Sequence, residues 1–394
     1  MKKQTQAIHL EYERRDAYDS LSVPVYNTLA YEFDNAAVMA EAFTDKIKAP
    51  DYSRVENPTV TNLERRVAAL TDAAHATAFN SGMAAISNTL MALAAQGKNI
   101  VTSKHLFGNT YALLVATLRR FGVKVRLRDL TNIEAVREAI DDDTCCVFLE
   151  ILTNPQLEVA DLKAISEVAH EKNVPLVVDS TIIPFTQFSA KSLGVDIEVV
   201  SSSKYVSGGA TSLGGLVIDY GTPYNGDFAK RLYGEMLFNF GAYMTPQVAY
   251  MQTIGLETLD ARYRVQSGNA LELAKKLRSL PQIKYVNYVG LEDNPYHELA
   301  QRQFGKTAGA MICIDLESKE ACFSFLNNLK LIHRATNLFD NRSLAIHPAS
   351  TIFGAFSESM RKSMDVKDTT IRLSVGLEDV DDLFEDIKQA VNSL

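Results

Sequence analysis

The sequence predicts an α/β protein: a largely parallel, seven-stranded sheet covered by helices, followed by a smaller α+β region. Three observations carry this. Between 71 and 219, short apolar runs alternate with amphipathic stretches, the order that yields parallel strands joined by helical crossovers. Runs such as Cys145-Cys146-Val147-Phe148-Leu149 and Leu176-Val177-Val178 are continuously apolar, as strands buried on both faces are. Beyond Pro246 the texture changes to one long helical stretch followed by scattered strands and helices. The chain is therefore divided into an N-terminal arm (1–60), a large domain (61–245) and a C-terminal α+β domain (246–394).

The arm reads as irregular, with Pro24 and Pro58 interrupting helix and one short helix at 36–43. Without a core of its own, it is expected to pack on another domain or another subunit. A helix at 62–70, capped by Thr59 or Thr61, places Leu63, Val67 and Leu70 on one face. Strands follow at 75–79, 99–102, 123–127, 145–150, 174–179, 196–201 and 213–219, with Pro175 tolerable only near its strand's start. Helices are expected at 83–95, 110–120, 131–140 and 162–172. In the last region, helices are expected at 247–280, 319–329 and 380–391 and strands at 283–289, 311–316 and 371–375.

Bulk properties exclude several classes. Lys and Arg total 40 against 48 Asp and Glu, a net charge of −8, which argues against a nucleic-acid or anionic-membrane partner. No apolar run approaches the ~20 residues of a membrane span, and the start, Met1-Lys2-Lys3-Gln4-Thr5-Gln6, lacks an apolar signal core. Cys145, Cys146, Cys313 and Cys322 form no C-x-x-C pair and read as reduced thiols of a cytoplasmic protein. The seven histidines are scattered without H-x-x-x-H spacing, so no metal is expected.

Sites in such sheets lie beyond the carboxyl ends of strands. Asn80-Ser81-Gly82, Glu150, Asp179 and Ser201-Ser202-Ser203-Lys204 all follow predicted strand ends, so they can converge on one crevice. Lys204 follows a buried run and precedes a glycine-rich segment, 207–215. A lysine there is costly unless it has a partner or a job, and lysine amines form Schiff bases with carbonyl compounds and with pyridoxal phosphate (PLP). Ser81-Gly82-Met83, at a helix start, is a candidate anion cradle or a plain N-cap. Asp179 ends an apolar strand, either in a structural ion pair or facing a cofactor's pyridinium nitrogen. Arg372, inside an apolar strand, presents a fork suited to a carboxylate, either a substrate's or that of an acidic residue within 378–382.

Tyr52-Ser53-Arg54, Ser81-Gly82-Met83-Ala84-Ala85, Asn154-Pro155, Val178-Asp179-Ser180-Thr181, Ser201-Ser202-Ser203-Lys204-Tyr205, Gly255-Leu256-Glu257-Thr258-Leu259, His347-Pro348-Ala349-Ser350 and Arg372-Leu373-Ser374-Val375-Gly376 occur in the order seen in the Cys/Met-metabolism PLP enzymes. The resemblance covers essentially the whole chain and implies the fold type I architecture of PLP-dependent transferases. It implies PLP on Lys204, Asp179 against the ring nitrogen, and phosphate held by Ser81, Gly82, Met83, Ser201 and Ser203. It also implies that Asn154 sits on the cofactor's hydroxyl side and that Arg372, helped by Ser343, holds the substrate carboxylate. Tyr52 and Arg54 would complete the phosphate site of a neighbouring subunit, in a homotetramer built as a dimer of dimers.

The sequence departs from that family in places. Phe107 stands where most members have a tyrosine whose ring stacks on PLP and whose hydroxyl serves in proton transfer. Loss of such a group costs ~10²–10⁴-fold where proton transfer matters, and it matters most for a poor leaving group such as a thiolate. Asn109, where methionine γ-lyases typically have cysteine, points the same way, although Tyr111 is placed to compensate. Ile352-Phe353 replaces a common Thr-His. Nothing follows from Ile352-Phe353, but Phe107 and Asn109, together with Pro24-Val25-Tyr26-Asn27-Thr28, Phe33-Asp34 and Asn239-Phe240-Gly241-Ala242, resemble O-acetylhomoserine sulfhydrylases more than thiol-releasing lyases. The expected reaction is γ-replacement on O-acetyl-L-homoserine by sulfide or methanethiol; the alternatives are a methionine or cystathionine γ-lyase or a cystathionine γ-synthase of the same family, with a catalytically silent PLP-binding homologue disfavoured by the presence of Lys204, Asp179, Arg372, Tyr52 and Arg54.

Overall fold

A computed structural model describes residues 1–10, 16–44 and 46–394. Its centre is a sheet of strands β1 (His75–Phe79), β2 (Asn99–Thr102), β3 (Lys124–Leu127), β4 (Thr144–Glu150), β5 (Leu176–Asp179), β6 (Ile197–Val200) and β7 (Gly215–Asp219). Their spatial order is β1-β7-β6-β5-β4-β2-β3. The block from β6 to β3 is parallel. β7 alone is reversed, pairing antiparallel with β6 and β1. Alternate residues feed two cores: Val147 and Leu149 belong to one, Cys146 and Phe148 to the other. Both faces are therefore covered, which is why the run reads as continuously apolar.

Helix boundaries differ from expectation where capping chemistry decides them. The helix predicted at 62–70 spans Pro58–Thr71 and is capped by Asn57, whose side chain accepts from Thr59 N–H. Proline suits the first turn because its ring presets φ and no N–H is wasted. Thr59 instead bonds Pro24 O and Tyr26 N–H, tying down the arm. The helix predicted at 110–120 starts at Gly108, widens to a π-turn over Leu113–Thr117 and closes as a 3₁₀ turn over Leu118–Phe121. The arm contains an unpredicted helix, Lys3–His9, whose one buried residue is Ala7. Another unpredicted helical stretch runs from Phe228 to Phe240, with a π-turn at Leu232–Leu237.

The second sheet comprises β8 (Tyr285–Asn287), β9 (Met311–Asp315), β10 (Leu344–Ile346) and β11 (Thr370–Ser374), all antiparallel in the order β10-β11-β9-β8. Three residues are too few for β10 to show a period in the sequence. The 32-residue helix Pro246–Leu277 packs against both Pro58–Thr71 and Val380–Val391 and so joins the two sheets. Among the described residues no helix is long and apolar enough to cross a membrane.

Candidate active site

A cleft of about 530 Å³ opens where β1, β4, β5 and β6 end, where β7 begins, and where β11 approaches from the second sheet. It gathers ten of the predicted residues: Ser81, Gly82, Met83, Phe107, Asn154, Asp179, Ser201, Ser203, Lys204 and Arg372. Strand direction explains this. The parallel register sets Glu150 beside Asp179, and reversed β7 brings Gly215 opposite Phe79 at the end of β1.

The floor is a close-packed anion cradle. Gly82 and Met83 are the first residues of the helix Gly82–Leu93, so their N–H groups have no partner within the helix. Ser81 caps the same helix by accepting from Ala84 N–H at 3.1 Å. A Cβ on Gly82 would lie 2.6 Å from Ser201 Cβ, and one on Gly215 would lie 2.2 Å from Ser81 O. Only glycine permits this approach of backbone to serine. The Ser203 hydroxyl lines the cleft but is engaged with Gly214, donating to its carbonyl and accepting from its N–H.

One end of the cleft is acidic. Asp179 is raised above the usual carboxylate range by burial, although Thr181 N–H donates to it at 2.8 Å. Glu150 is raised further, by burial and then by the neighbouring Asp179, and accepts Phe107 N–H at 2.5 Å. Among the described residues neither acid has a cationic partner.

The other end is cationic. Lys204 lies in the turn after β6, where burial and then the charge of Arg372 pull it down to about 8. Its Nζ donates to Asn337 Oδ1 at 2.8 Å. Arg372, 2% exposed, donates among the described residues only to neutral oxygens: Asn154 Oδ1 at 3.3 Å, Thr336 O at 3.2 Å and Asn337 O at 3.4 Å. Its Nε is buried without a partner. The ion pair with the acidic tail is thereby excluded: Glu378 is occupied by Ser343, through the N–H at 2.6 Å and the hydroxyl at 2.9 Å. A buried guanidinium among neutral groups is set for an anionic guest.

Three predicted residues do not line this cleft. Ser343 is one, because its hydroxyl also accepts Gly376 N–H at 2.9 Å and so braces the loop after β11. The expectation that it reaches the substrate carboxylate is corrected accordingly. Tyr52 is 40% exposed, and Arg54 lies over its ring and donates to Phe238 O. Tyr111 does not reach the cleft either. Its ring packs edge-on against Phe356 at 5.9 Å, so its hydroxyl does not replace the one missing from Phe107.

Sequence reasoning missed Asn337 and left Glu150 without a role. No motif marks Asn337, and a polar residue just ahead of Ser343 was the available clue. Its loop depends on Phe339, which takes a left-handed conformation (φ 56°). A bulky residue rarely adopts it. Here the ring stacks on Tyr205 at 3.9 Å, and its N–H donates to Ser374 Oγ at 2.7 Å.

The cleft therefore offers an anion cradle and, among the described residues, two buried acids that lack a cation and a lysine and an arginine that lack a carboxylate. This donor set fits a phosphorylated, cationic aromatic ring together with an amino-acid carboxylate, as PLP and its substrate would present. Comparisons with known proteins agree. The family model for Cys/Met metabolism PLP-dependent enzymes matches residues 4–392. An L-methionine γ-lyase of Fusobacterium nucleatum subsp. polymorphum is 37% identical, over 99% of this chain and 98% of that one. An O-acetyl-L-homoserine sulfhydrylase of Corynebacterium glutamicum is 32% identical, over 98% and 95%. The crystal structure of a putative O-acetylhomoserine (thiol)-lyase from Campylobacter jejuni superposes with a TM-score of 0.95 at 34% identity, covering all of both chains. It contains a pyridoxyl-lysine monophosphate.

Proposed function

This chain belongs to the Cys/Met metabolism PLP-dependent enzymes, and from that premise we propose that it replaces the acetoxy group on the γ-carbon of O-acetyl-L-homoserine with sulfide or methanethiol, releasing acetate and forming homocysteine or methionine. The carrying observation is the wall of the cleft around Phe107. Met83, Ile86, Phe107, Leu213, Leu338 and Ile352 make it apolar, and among the described residues of this chain no tyrosine lines it. Acetate departs with little protonation, whereas a thiolate needs a proton donor.

PLP, when bound, supplies an electron sink for negative charge developing at the substrate's α-carbon. The chain's residues do the rest. Lys204 carries the cofactor and then serves as the base that takes the α-proton, a role eased by its burial-lowered basicity. Asp179, with Glu150 beside it, keeps a proton on the ring nitrogen. Gly82, Met83, Ser81, Ser201 and Ser203 receive the phosphate at the helix start. Asn154 flanks the ring and orients Arg372, which grips the substrate carboxylate through its unpartnered Nε. Phe107 covers the ring and keeps water from the reacting carbons. Arm residues Tyr52 and Arg54, outside this chain's own cleft, serve the phosphate site of a second subunit in a homotetramer.

A second reading, elimination from methionine or cystathionine to 2-oxobutyrate and ammonia, draws support from the 37% identity to an L-methionine γ-lyase. Parallel incubations separate the two: O-acetylhomoserine and O-succinylhomoserine with sulfide, then methionine and cystathionine alone, scoring homocysteine against 2-oxobutyrate. Homocysteine from the acetyl ester is expected to dominate; predominant 2-oxobutyrate from methionine would replace the first reading with the second. Phe107→Tyr is expected to raise thioether elimination by at least about tenfold.

A further inference from the structure

Two residues before Phe107, His105 is held between two carboxylates from distant segments. Its Nδ1 meets Glu158, and its Nε2 lies 2.7 Å from Asp365 Oδ2. The ring is 13% exposed. Glu158 closes the loop that carries Asn154: its carbonyl and N–H both bond Thr153, at 3.0 Å each, and Leu152 bridges to Val159. Asp365 follows the helix Glu358–Ser363, and the adjacent Met364 carbonyl accepts Gln156 Nε2 at 2.7 Å. One imidazole thus joins the segment bearing Phe107, the loop bearing Asn154 and a segment of the C-terminal region. The proposed reaction uses His105 in no proton step.

We infer that His105 is a positioning residue: as an imidazolium it clasps Glu158 and Asp365 and holds Phe107 and Asn154 against the cofactor site, and loss of its proton releases one side of the clasp. A neutral imidazole has one N–H and one lone pair, and the lone pair faces a carboxylate unfavourably. Only the cation donates to both. The other charged groups at the site are few. Lys104, on the same segment, reaches Asp365 at 2.7 Å. Tyr296 approaches Glu158 with its phenol pushed up to about 12 by burial and then by Glu158, so it stays neutral. Burial draws His105 down, but Glu158 and Asp365 outweigh it and the net shift is upward. Partial burial lifts Asp365, but Lys104 and His105 hold it below the usual range, so it stays ionised. A histidine raised in the folded state contributes its full stabilisation below its unfolded value, about 6.5. That contribution disappears as pH rises through the higher folded value.

The inference rests on Phe107 and Asn154 flanking the cofactor, so the test reads the clasp and its consequence separately. Tm and the rate of PLP release from the holoenzyme are measured from pH 6 to 9 for wild type, His105→Gln, Asp365→Asn and Phe107→Ala. The Tm advantage of wild type over His105→Gln should vanish as pH rises, with wild-type PLP release accelerating about tenfold over the same range. His105→Gln should release PLP quickly at every pH, and Asp365→Asn should move the wild-type midpoint downward. An unchanged wild-type pH slope in His105→Gln, or in Asp365→Asn if the first variant does not fold, overturns the inference. A pH-dependent Tm difference without any change in PLP release reduces the clasp to a structural tie and overturns the positioning role. Normal PLP retention in Phe107→Ala would instead remove the reading of Phe107 as a cofactor-flanking residue.

Discussion

Among the described residues, Glu150 and Asp179, which finish neighbouring parallel strands at one end of the cleft, have no cation, and Lys204 and Arg372, at the other end, have no carboxylate. The acids are placed by sheet register, with backbone pairing on both sides of β5. The cations are placed by a junction: a turn after β6, a strand of the second sheet, and a loop held by Phe339 against Tyr205. The difference separates two tasks. A rigid acidic end suits the ring of a permanent cofactor, whereas the end assembled from three segments, where Lys204 anchors that cofactor beside Arg372, can adapt to the substrate. Each end is costly alone, because uncompensated buried charge opposes folding.

The largest effect that tests this division is at Asp179. Asp179→Asn should lower turnover about a hundred- to thousandfold, while raising the Tm of the cofactor-free protein at neutral pH. The sign follows from linkage. Asp179 is raised on folding, first by burial, so the unfolded chain loses its proton at lower pH than the folded one. Folding stability is therefore lost as pH climbs from the unfolded value through the folded one. Asparagine removes that loss. Glu150→Gln should show the same two signs, with a smaller loss of activity because it stands beside Asp179 and acts on the ring nitrogen only through it. A lower apoprotein Tm in both variants would show that these acids are paired after all.

Arg372→Lys comes next. It keeps the charge but loses the fork, so kcat/KM should fall about ten- to a hundredfold, mainly through KM. In Arg372→Leu the Lys204 amine should rise only partway from about 8, because burial, the larger cause of its depression, stays while the neighbouring charge that also disfavours its protonation is gone. The pH dependence of its reaction with an amine-specific reagent in the apoprotein measures this. An unchanged KM in Arg372→Lys would move the carboxylate site elsewhere.

The same division governs how much could be read from the sequence. The strand-forming runs and the residues after them were legible, because burial on two faces leaves continuous apolar segments and functional groups must follow their ends. Strand direction was not legible: nothing in Gly215–Asp219 distinguishes a reversed strand from a parallel one. At the cationic end, Lys204 and Arg372 stood out as charges in apolar surroundings. Asn337 did not, since its position depends on a left-handed Phe339 that no turn rule anticipates. Ser343 was misread because its partners, Glu378 and the Gly376 N–H, meet it only once β10 and β11 pair.

Ser343→Ala is the smallest effect and the sharpest check on that last point. The hydroxyl is buried and makes two bonds, so its loss should cost about 1–3 kcal/mol of stability, read as a lower Tm. KM for the amino-acid substrate should not change, because Gly376 and Glu378 belong to the loop after the strand that presents Arg372 and do not line the cleft. Asn337→Ala provides the contrast: its side chain faces Lys204 and its carbonyl faces Arg372, so KM or kcat should move while Tm changes little. If Ser343→Ala raised KM at an unchanged Tm, the hydroxyl would belong to the substrate and the cationic end would extend farther than the cleft residues indicate.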